Sequence, residues 1–523
     1  MSSEHHSNTP DDGLEMNFTP FRGLIGDIRR RLPYYIDDYV KGIHPKVLAS
    51  ILFLFFACLA NAVAFGVLTE EVTNGQIGTI EMILATAVGG IVFAIFSGQP
   101  LTILGGTGPI VIFTGLLYKA CEQMGVDFLA TYAWVGLWSS LFMILLALFN
   151  TSALMRYFTR FTDEIFAALI AVIFIYEAVK MMLYPFLKET TDYPVAFLTL
   201  LCGLGTYIAA RTMKNFVRTP YTSRVIRNFI SDFGPALAIG ALTGFALFFP
   251  DIALKGPSIP DTFAPTKERD WLVPLFEVPT WVILGSSVPA LMATILLFLD
   301  QNITTRLVNT PGNKLKKGAG FHLDLLVVGL LIGACSLFGL PWIVAATVHA
   351  INHVRSLATM EVVEQGTQKK EVIASVIENR VSPLMIHLMI GLSIFMLSYI
   401  KIIPMAVLFG LFLFMGFATL GGNQFWERVT LWVTDKNLYP NTHYVKRVPA
   451  KAIHAFTLIQ VVALGALWVL KTSSVGILFP VLIAALVPIR MIMGKVFRAE
   501  DLEALDSEED LDENDTMEVD VHA

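Results

Sequence analysis

Long runs of apolar residues, separated by short polar stretches, recur along most of the chain. An α-helix of about 20 apolar residues spans the hydrocarbon core of a bilayer. The pattern predicts fourteen membrane segments, at residues 47–68, 80–97, 99–118, 132–150, 165–183, 195–210, 234–249, 280–308, 323–338, 339–348, 383–400, 403–420, 453–470 and 474–489. The predicted fold class is therefore an all-α polytopic membrane protein.

Two of these segments contain residues that interrupt a helix. The first interrupted segment, Gln99–Pro109, holds two prolines and three glycines, and the second, Gly339–Val348, is rich in small residues around Pro341. Because proline removes a backbone donor and clashes with the preceding turn, each segment is expected to unwind and then resume as a half-helix. Unwound backbone inside a membrane is tolerated only where protein or a water-filled cavity surrounds it.

The interrupted segments are third in each set of seven, which predicts a 7+7 repeat. Since seven is odd, the second copy would enter the membrane upside down, and the two half-helices would meet near the midplane with their N-termini facing each other. Backbone N–H groups and helix dipoles at such a point favour an anion. The alternative is a pair of ordinary kinked helices whose glycines allow close packing.

One carboxylate, Asp300, lies inside a predicted membrane helix. The stretch Val278–Leu299 before it carries no charge. A charged side chain at that depth costs roughly 2.5–3.5 kcal/mol on insertion scales, so Asp300 is predicted to form an ion or proton site inside a transporter. The alternative is that Asp300 snorkels from the helix end or pairs with a neighbour.

Basic residues are concentrated in a few loops. They lie at Arg156–Arg160, Arg211–Arg227 and Lys314–Lys317, and the positive-inside rule places these loops and both termini in the cytoplasm. The stretch Phe21–Lys41 mixes arginines with aromatic residues, which predicts an interfacial helix whose arginines face anionic lipid.

Polar tails are expected to flank one membrane domain. Residues 1–20 carry no apolar run, and Glu500–Ala523 contains twelve Asp or Glu and no Lys or Arg. Such composition predicts disorder. The expected organisation is a disordered tail (1–20), a transporter domain (21–498) and an acidic, disordered tail (499–523).

Composition and motifs exclude several classes of function. With 55% hydrophobic and 15% charged residues, the chain is typical of a membrane protein rather than a soluble one. Neither an HExxH nor a GxSxG pattern occurs, which disfavours a membrane enzyme, and we expect no cofactor and no nucleic-acid partner. A non-transporting membrane scaffold would not need two interrupted segments and an intramembrane acid.

Several stretches match a known family. They are RGLIGDIRRRLPYY (Arg22–Tyr35), SGQPLTILGGTGP (Ser97–Pro109), RYFTRFTDEIFAALIAVIFIYEA (Arg156–Ala178), LKKGAGFHLDLL (Leu315–Leu326), FGLPWIVAATV (Phe338–Val348), PMAVLFGLFLFMG (Pro404–Gly416), YVKRV (Tyr444–Val448) and WVLK (Trp468–Lys471). With these stretches the chain resembles the bicarbonate transporter family, which contains the band 3 anion exchangers and the sodium–bicarbonate cotransporters.

The resemblance implies the fold of uracil and sulfate transporters. In that fold segments 1–4 and 8–11 form a core domain, here about 47–150 and 280–400, while segments 5–7 and 12–14 form a gate and dimer contact, here about 164–250 and 403–490. The substrate sits between the half-helices, and the core moves as an elevator against the gate. The family also implies a homodimer in a plasma or bacterial inner membrane.

The resemblance also suggests which ions bind. The segment 8 carboxylate is glutamate in the family's chloride–bicarbonate exchangers and aspartate in its sodium-coupled members, so Asp300 matches the latter. By the same resemblance Thr304, the Ala345 carbonyl and Thr347 are candidate sodium ligands. The structural alternative is that Thr304 and Thr347 bond to a carbonyl of their own helix.

The candidate substrate site, for bicarbonate or carbonate, lies at the starts of the half-helices and comprises Thr107, Gly108, Ala346, Thr347, Val348 and His349. Thr107 is expected to cap its half-helix and to contact the anion. His349, which stands where the exchangers have an arginine, either titrates near neutral pH or is a hydrogen-bonded pore residue. The leading hypothesis is sodium-coupled bicarbonate or carbonate transport, and the alternatives on the same fold are chloride–bicarbonate exchange and borate export.

Overall fold

The computed structural model describes residues 14, 19–187, 192–260, 262–365, 368–421, 423–440, 442–473 and 475–507. Most residues of the two tails expected to be disordered, 1–13, 15–18 and 508–523, lie outside the described residues. The α-helices of the first half of the chain are α1 (Arg22–Arg31), α2 (Tyr35–Val40), α3 (Pro45–Val72), α4 (Thr79–Phe96), α5 (Gly108–Met124), α6 (Phe128–Leu148), α7 (Arg160–Leu183), α8 (Tyr193–Asn215) and α9 (Arg224–Ala246).

The second half of the chain is also mainly helical. Its helices are α10 (Thr280–Gly285), α11 (Ser287–Val308), α12 (Phe321–Leu337), α13 (Thr347–Leu357), α14 (Val381–Leu392), α15 (Leu397–Ile400), α16 (Met405–Leu420), α17 (Gln424–Thr430), α18 (His443–Arg447), α19 (Ala450–Thr472), α20 (Phe479–Met493) and α21 (Ala499–Asp506). The structure also has short 3-10 helices and four strands: β1 (Leu104–Gly105), β2 (Val344–Ala345), β3 (Ala358–Gln365) and β4 (Gln368–Val376).

The helices have the length and composition expected for a multi-pass membrane protein. Among the described residues, ten helical spans are long and apolar enough to cross a bilayer, or eleven if the bent pair α16 and α17 counts as one span. The predicted helical, polytopic character is therefore confirmed. The count of fourteen segments and the inverted repeat stay predictions.

Side-chain caps mark where several of these helices begin. Asp127 accepts from the backbone of Ala130 (2.8 Å) at the start of α6, and Asp192 accepts from Val195 (3.3 Å) at the start of α8. Each carboxylate satisfies an N–H group that has no partner inside the helix and lies at the positive end of the helix dipole. The aspartates in these two polar connections therefore define where α6 and α8 begin.

The chain divides into two compact units. The first comprises residues up to Met155 and Ile173–Met415, and the second comprises Arg156–Val172 and the residues after Met415. In the first unit α6 packs against α11 and α12, and α14 packs against α3 and α4. The predicted division into a core and a gate stays a prediction.

The two interrupted segments meet in the first unit as a pair of short antiparallel strands. Leu104 of β1 lies opposite Ala345 of β2, and Gly105 lies opposite Val344. Helix α5 begins three residues after β1 and α13 begins two residues after β2, so both helix starts lie beside the antiparallel pair. The backbone is non-helical at both predicted interruptions, and a helix follows each; that these are half-helices inside a membrane stays a prediction.

Strands β3 and β4 form a hairpin that the sequence analysis did not predict. They pair antiparallel, with Ala358 opposite Val376, and they follow α13 directly. Two short runs, 359–363 and 372–376, contain several β-branched residues, and they are the signal that could have identified these strands.

The N-terminal helices α1 and α2 differ from the expectation in one respect. Arg30 donates to the Ala319 carbonyl (2.6 Å), and Arg31 pairs with Asp38 and Glu378 (3.3 Å each), so these two arginines contact protein rather than lipid. The expectation that they face lipid is wrong, because buried carboxylates compete for them. Arg29 is exposed, and so are the apolar residues Ile25, Ile28, Leu32, Ile36 and Val40.

Lys317, in the loop before α12, adds a further cation to the ion pairs around Asp38. Lys317 lies 2.7 Å from Asp37 and 2.5 Å from Asp38. The hydrogen bond from Lys317, helped by Lys41, holds the pKa of Asp37 below its ordinary value. Burial raises the pKa of the nearby Tyr39 hydroxyl to about 12.

In the second unit, residues expected to begin a disordered tail form helix α21. Asp506 accepts from the Phe161 backbone (3.1 Å) and from Arg490 (2.6 Å), and Arg160 donates to the Ser507 carbonyl (3.0 Å). Leu502 and Leu505 are buried. The expectation of disorder is therefore wrong for 499–506, because apolar residues among the acids provide a face that packs.

Candidate functional site

The site is built where α5 and α13 begin. Thr107 precedes α5 in an extended conformation (φ −127°, ψ 149°), and Ala346 precedes α13 with φ −90° and ψ 102°. The first N–H groups of each helix have no partner in their own helix. Two positive helix ends therefore lie beside the β1–β2 pair, which is the arrangement expected for an anion site.

Asp300 on α11 lies at the start of α5. Its side chain is buried, with 6% of the residue exposed, and its Oδ2 accepts from the Thr107 hydroxyl at 2.7 Å. The alternative that Asp300 snorkels from a helix end does not hold. Thr107 occupies the N-cap position of α5 as expected, but its side chain makes no capping bond because the hydroxyl is directed to Asp300 instead.

One helical turn after Asp300, Thr304 contacts the second interrupted segment. Its hydroxyl lies 2.6 Å from the Thr347 hydroxyl and donates to the Ala345 carbonyl at 3.3 Å. Either of these two hydroxyls can be the donor in the bond between them. For Thr304 and Thr347 the structure therefore shows contacts between two segments in place of the alternative, a hydrogen bond to a carbonyl of their own helix.

Oxygen atoms of three kinds occur here: Asp300 precedes Thr304 by one turn of α11, and Thr304 contacts Ala345 and the half-buried Thr347. Asp300 supplies a carboxylate, Thr304 and Thr347 supply hydroxyls, and Ala345 supplies a backbone carbonyl. Hard cations are bound by such oxygen ligands. Among the described residues no group of three or more His, Cys, Asp or Glu is arranged for a metal ion, so a transition-metal site finds no support there.

The predicted substrate residues differ in their surroundings. A side chain at Gly108 would lie 2.7 Å from the Phe174 ring, so only glycine fits this close approach. His349 is buried, and its Nε2 lies 3.3 Å from the Ala57 carbonyl of α3. Val348, by contrast, is 54% exposed. Whether His349 titrates stays open as a prediction.

Buried polar side chains hold the first interrupted segment in place. Asp324 accepts from the backbone of Gly98 (2.7 Å) and Gln99 (3.1 Å). Ring nitrogens of His353 and His387 lie 2.8 and 3.2 Å from the carbonyls of Leu101 and Leu104, and Asn61 donates to Gly106 (3.3 Å). Sequence reasoning missed these roles; Asp324 itself lies in the first turn of α12.

That helix start is stabilised by another carboxylate. Asp27 of α1 accepts from the backbone of His322 (2.7 Å) and Leu323 (3.0 Å) at the start of α12. Asp27 is distant in sequence, so no local pattern around α12 indicated this cap.

Aromatic packing fixes the second interrupted segment. The Trp342 ring stacks on Tyr132 with centroids 4.3 Å apart and an interplanar angle of 6°. The Tyr132 hydroxyl accepts from the Trp342 backbone (3.2 Å) and donates to the Leu340 carbonyl (3.3 Å), while Trp342 Nε1 donates to Ser336 (2.9 Å). The backbone before β2 is thereby anchored to α6 and α12.

Comparison with known families gives an extensive match. The family described as "HCO3- transporter integral membrane domain" matches residues 19–195 and 186–510. The chain is 36% identical over 577 residues to the human (Homo sapiens) sodium-driven chloride bicarbonate exchanger, covering 96% of this chain and 51% of the relative. It is also 36% identical over 524 residues to the human band 3 anion transport protein, covering 96% of this chain and 57% of the relative.

A third relative is the rat (Rattus norvegicus) electroneutral sodium bicarbonate exchanger 1, 36% identical over 581 residues, with 97% of this chain and 53% of the relative covered. The chain thus spans about half the length of the curated relatives it matches.

Solved structures of anion transporters share the fold. The transmembrane domain of the cyanobacterial bicarbonate transporter BicA superposes with a TM-score of 0.54 at 16% identity, covering 81% of this chain and 97% of that chain. The overall structure of SLC26A9 superposes with a TM-score of 0.58 at 13% identity, covering 89% of this chain and 67% of that chain. At these identities the likeness concerns the fold alone.

Proposed function

The chain belongs to the bicarbonate transporter family, and we propose that it is a secondary active transporter that couples the movement of bicarbonate or carbonate to sodium. The family is one of transporters, in agreement with the prediction that the chain is not an enzyme. The observation that carries the proposal is the oxygen cluster of Asp300, Thr304, Ala345 and Thr347 beside the starts of α5 and α13. Two of the relatives are named for sodium as well as bicarbonate.

The chemistry of the cluster accounts for coupling. The helix starts attract an anion, but an ionised Asp300 repels it. Two unit charges 4 Å apart interact with about 4 kcal/mol at an effective dielectric constant of 20. A sodium ion held by the four oxygens would cancel that repulsion, so sodium raises the affinity for the anion, and the anion raises the affinity for sodium by the same factor.

Transport further requires that the site faces each side of the membrane in turn. We propose an elevator mechanism, in which the predicted core (47–150 and 280–400) carries the site past the predicted gate (164–250 and 403–490). The structural neighbours support the transporter fold in which this division is expected. A disulfide that cross-links core to gate would stop transport without abolishing sodium binding, and continued transport would contradict the elevator.

Uptake into proteoliposomes tests the proposed function. Purified protein is reconstituted, and labelled bicarbonate uptake is measured with an inward sodium gradient and with sodium replaced by a large organic cation. We expect uptake above protein-free vesicles only with sodium. Equal uptake under both conditions would contradict sodium coupling while leaving bicarbonate transport intact.

Chloride–bicarbonate exchange is the second candidate. It is favoured by the name of one 36% identical relative, a sodium-driven chloride bicarbonate exchanger. Loading the vesicles with chloride distinguishes the two: exchange requires internal chloride, whereas simple sodium symport proceeds without it. Borate export is tested by competition with borate in the same vesicles.

The membrane setting belongs to the same proposal. The chain would lie in a plasma or bacterial inner membrane as a homodimer with both termini in the cytoplasm, on the side of the basic loops at Arg156–Arg160, Arg211–Arg227 and Lys314–Lys317. Labelling of cysteines introduced into these loops in sealed cells, and mass measurement of the detergent-solubilised protein, test orientation and oligomeric state.

A further inference from the structure

Gln301, the residue after Asp300, makes two buried hydrogen bonds that the proposed mechanism does not yet use. Its side chain is fully buried. Its Oε1 accepts from the Ala345 backbone N–H at 3.0 Å, and its Nε2 donates to the Thr305 hydroxyl at 3.3 Å. Gln301 therefore connects α11 to β2.

The orientation of the Gln301 amide is determined by Thr305. The Thr305 hydroxyl donates its single proton to the Gln301 backbone carbonyl at 2.9 Å, so towards the side chain it acts only as an acceptor. It must therefore face the NH₂ group of Gln301, which turns the amide oxygen towards Ala345. Gln301 is thus held as an acceptor in one orientation.

Helix α11 contacts both polar groups of Ala345. Gln301 binds its N–H, and Thr304 binds its carbonyl oxygen at 3.3 Å. The hydrogen bond to the first interrupted segment is made by the next residue, because the Ala346 N–H donates to the Ile103 carbonyl at 2.8 Å. The Ala345 carbonyl shares its peptide plane with the Ala346 N–H, so Thr304 and the strand pair both restrain that plane, whereas Gln301 restrains the preceding plane, which carries the Ala345 N–H.

We propose that Gln301 is a positioning residue for the cation site: by holding the Ala345 N–H, it fixes the peptide plane just before the Ala345 carbonyl and so keeps Ala345, whose carbonyl is one of the four proposed ligands, against α11. This inference rests on the proposed function, because it assigns Gln301 a role in sodium affinity. Gln301 does not itself contact the ion. It acts through the geometry of Ala345.

Four variants test this role. Gln301→Leu has a similar size but leaves the Ala345 N–H buried without an acceptor, and the half-saturating sodium concentration is expected to rise about 10-fold or more. Gln301→Glu keeps an acceptor at the same place, and because an ionised carboxylate also attracts the cation, the half-saturating sodium concentration is expected to stay at or below that of the wild type. Thr305→Val removes the group that orients the amide and shifts sodium affinity in the same direction by less, whereas Thr305→Ser is expected to restore it.

The neighbouring Asn302 provides a matched control. It is equally buried, but its side chain donates to the Phe298 carbonyl of its own helix at 2.9 Å. Asn302→Leu is therefore expected to leave the sodium dependence unchanged.

Sodium dependence is measured in two ways, as uptake of labelled bicarbonate in proteoliposomes and as the sodium-induced rise of the thermal unfolding midpoint in detergent. A purely structural role would lower the maximal rate or the midpoint of Gln301→Leu without shifting the half-saturating sodium concentration. That result overturns the inference and leaves the proposed function standing. A wild-type protein that responds to sodium in neither assay overturns both.

Discussion

Replacing Asp300 by asparagine separates the energetic cost of the carboxylate from its proposed use. An ionised carboxylate at this depth costs roughly 2.5–3.5 kcal/mol. The asparagine keeps an oxygen that accepts from Thr107, but it exchanges a charge-assisted hydrogen bond for a neutral one, a loss of about 1 kcal/mol. The free energy of unfolding of Asp300→Asn without sodium is therefore expected to exceed that of the wild type by about 1.5–2.5 kcal/mol.

Sodium is expected to reverse that order. An ion that binds only the folded state stabilises it by about 2.7 kcal/mol at 100 times its dissociation constant. The wild type should gain this stabilisation, and Asp300→Asn should gain little of it. The assay is thermal unfolding in detergent, followed by intrinsic tryptophan fluorescence, over a sodium series at constant ionic strength.

Asp324→Asn is the matched control, because Asp324 is a fully buried carboxylate of the same unit that binds the backbone of Gly98 and Gln99 instead of facing the cluster. Its response to sodium should equal that of the wild type. If sodium raises the unfolding midpoint of Asp300→Asn as much as that of the wild type, Asp300 is not a sodium ligand and the reasoning is refuted.

Three further substitutions test other contacts. Thr107→Val should weaken sodium-dependent uptake about 10-fold by removing a charge-assisted hydrogen bond, whereas Thr107→Ser should retain uptake, and equal rates for both would contradict the role of the hydroxyl. Lys317 lowers the pKa of Asp37, so the stabilisation from this pair is present at neutral pH and is lost as the pH falls through the lowered pKa. The difference in unfolding midpoint between the wild type and Asp37→Asn should therefore disappear in acid. A difference that stays constant with pH would argue against the pair. Arg428 is fully buried beside Glu164, so Arg428→Met should lower the free energy of unfolding by about 3–5 kcal/mol, and a change below about 1 kcal/mol in chemical denaturation would contradict a buried pair.

Hydropathy and helix-breaking residues were sufficient to predict most of the helical architecture. Apolar runs locate the spans because backbone hydrogen bonds must be satisfied inside the lipid. Pro109 also marks the start of α5, whereas Pro100 and Pro341 lie in the non-helical backbone several residues before α5 and α13. The hairpin of β3 and β4 was missed because a search for long apolar runs does not detect short strands in a polar stretch.

The partners of individual side chains could not be predicted in the same way. A threonine before a helix normally caps it, yet Thr107 bonds to Asp300, which is distant in the chain. Likewise Asp324 stands at the start of a helix but binds Gly98 and Gln99, while Asp27 takes its place at that helix. Local propensity states only that such groups need partners, and tertiary packing decides which partners they find.

The partners of the arginines in the basic N-terminal stretch could not be predicted from local sequence either. Its arginines were expected to face lipid on charge alone, but Asp38 and Glu378 draw Arg31 into the protein. The family resemblance, in contrast, identified Thr304, Ala345 and Thr347 as a group, and the structure brings them together around α11.

Simultaneous measurement of labelled sodium and labelled bicarbonate uptake by the same proteoliposomes tests the central claim most directly. Coupling through the Asp300 cluster predicts that each ion enters only when the other is present, and that Asp300→Asn loses the mutual dependence. Bicarbonate entry that is independent of sodium, with no sodium entering alongside it, would contradict the account.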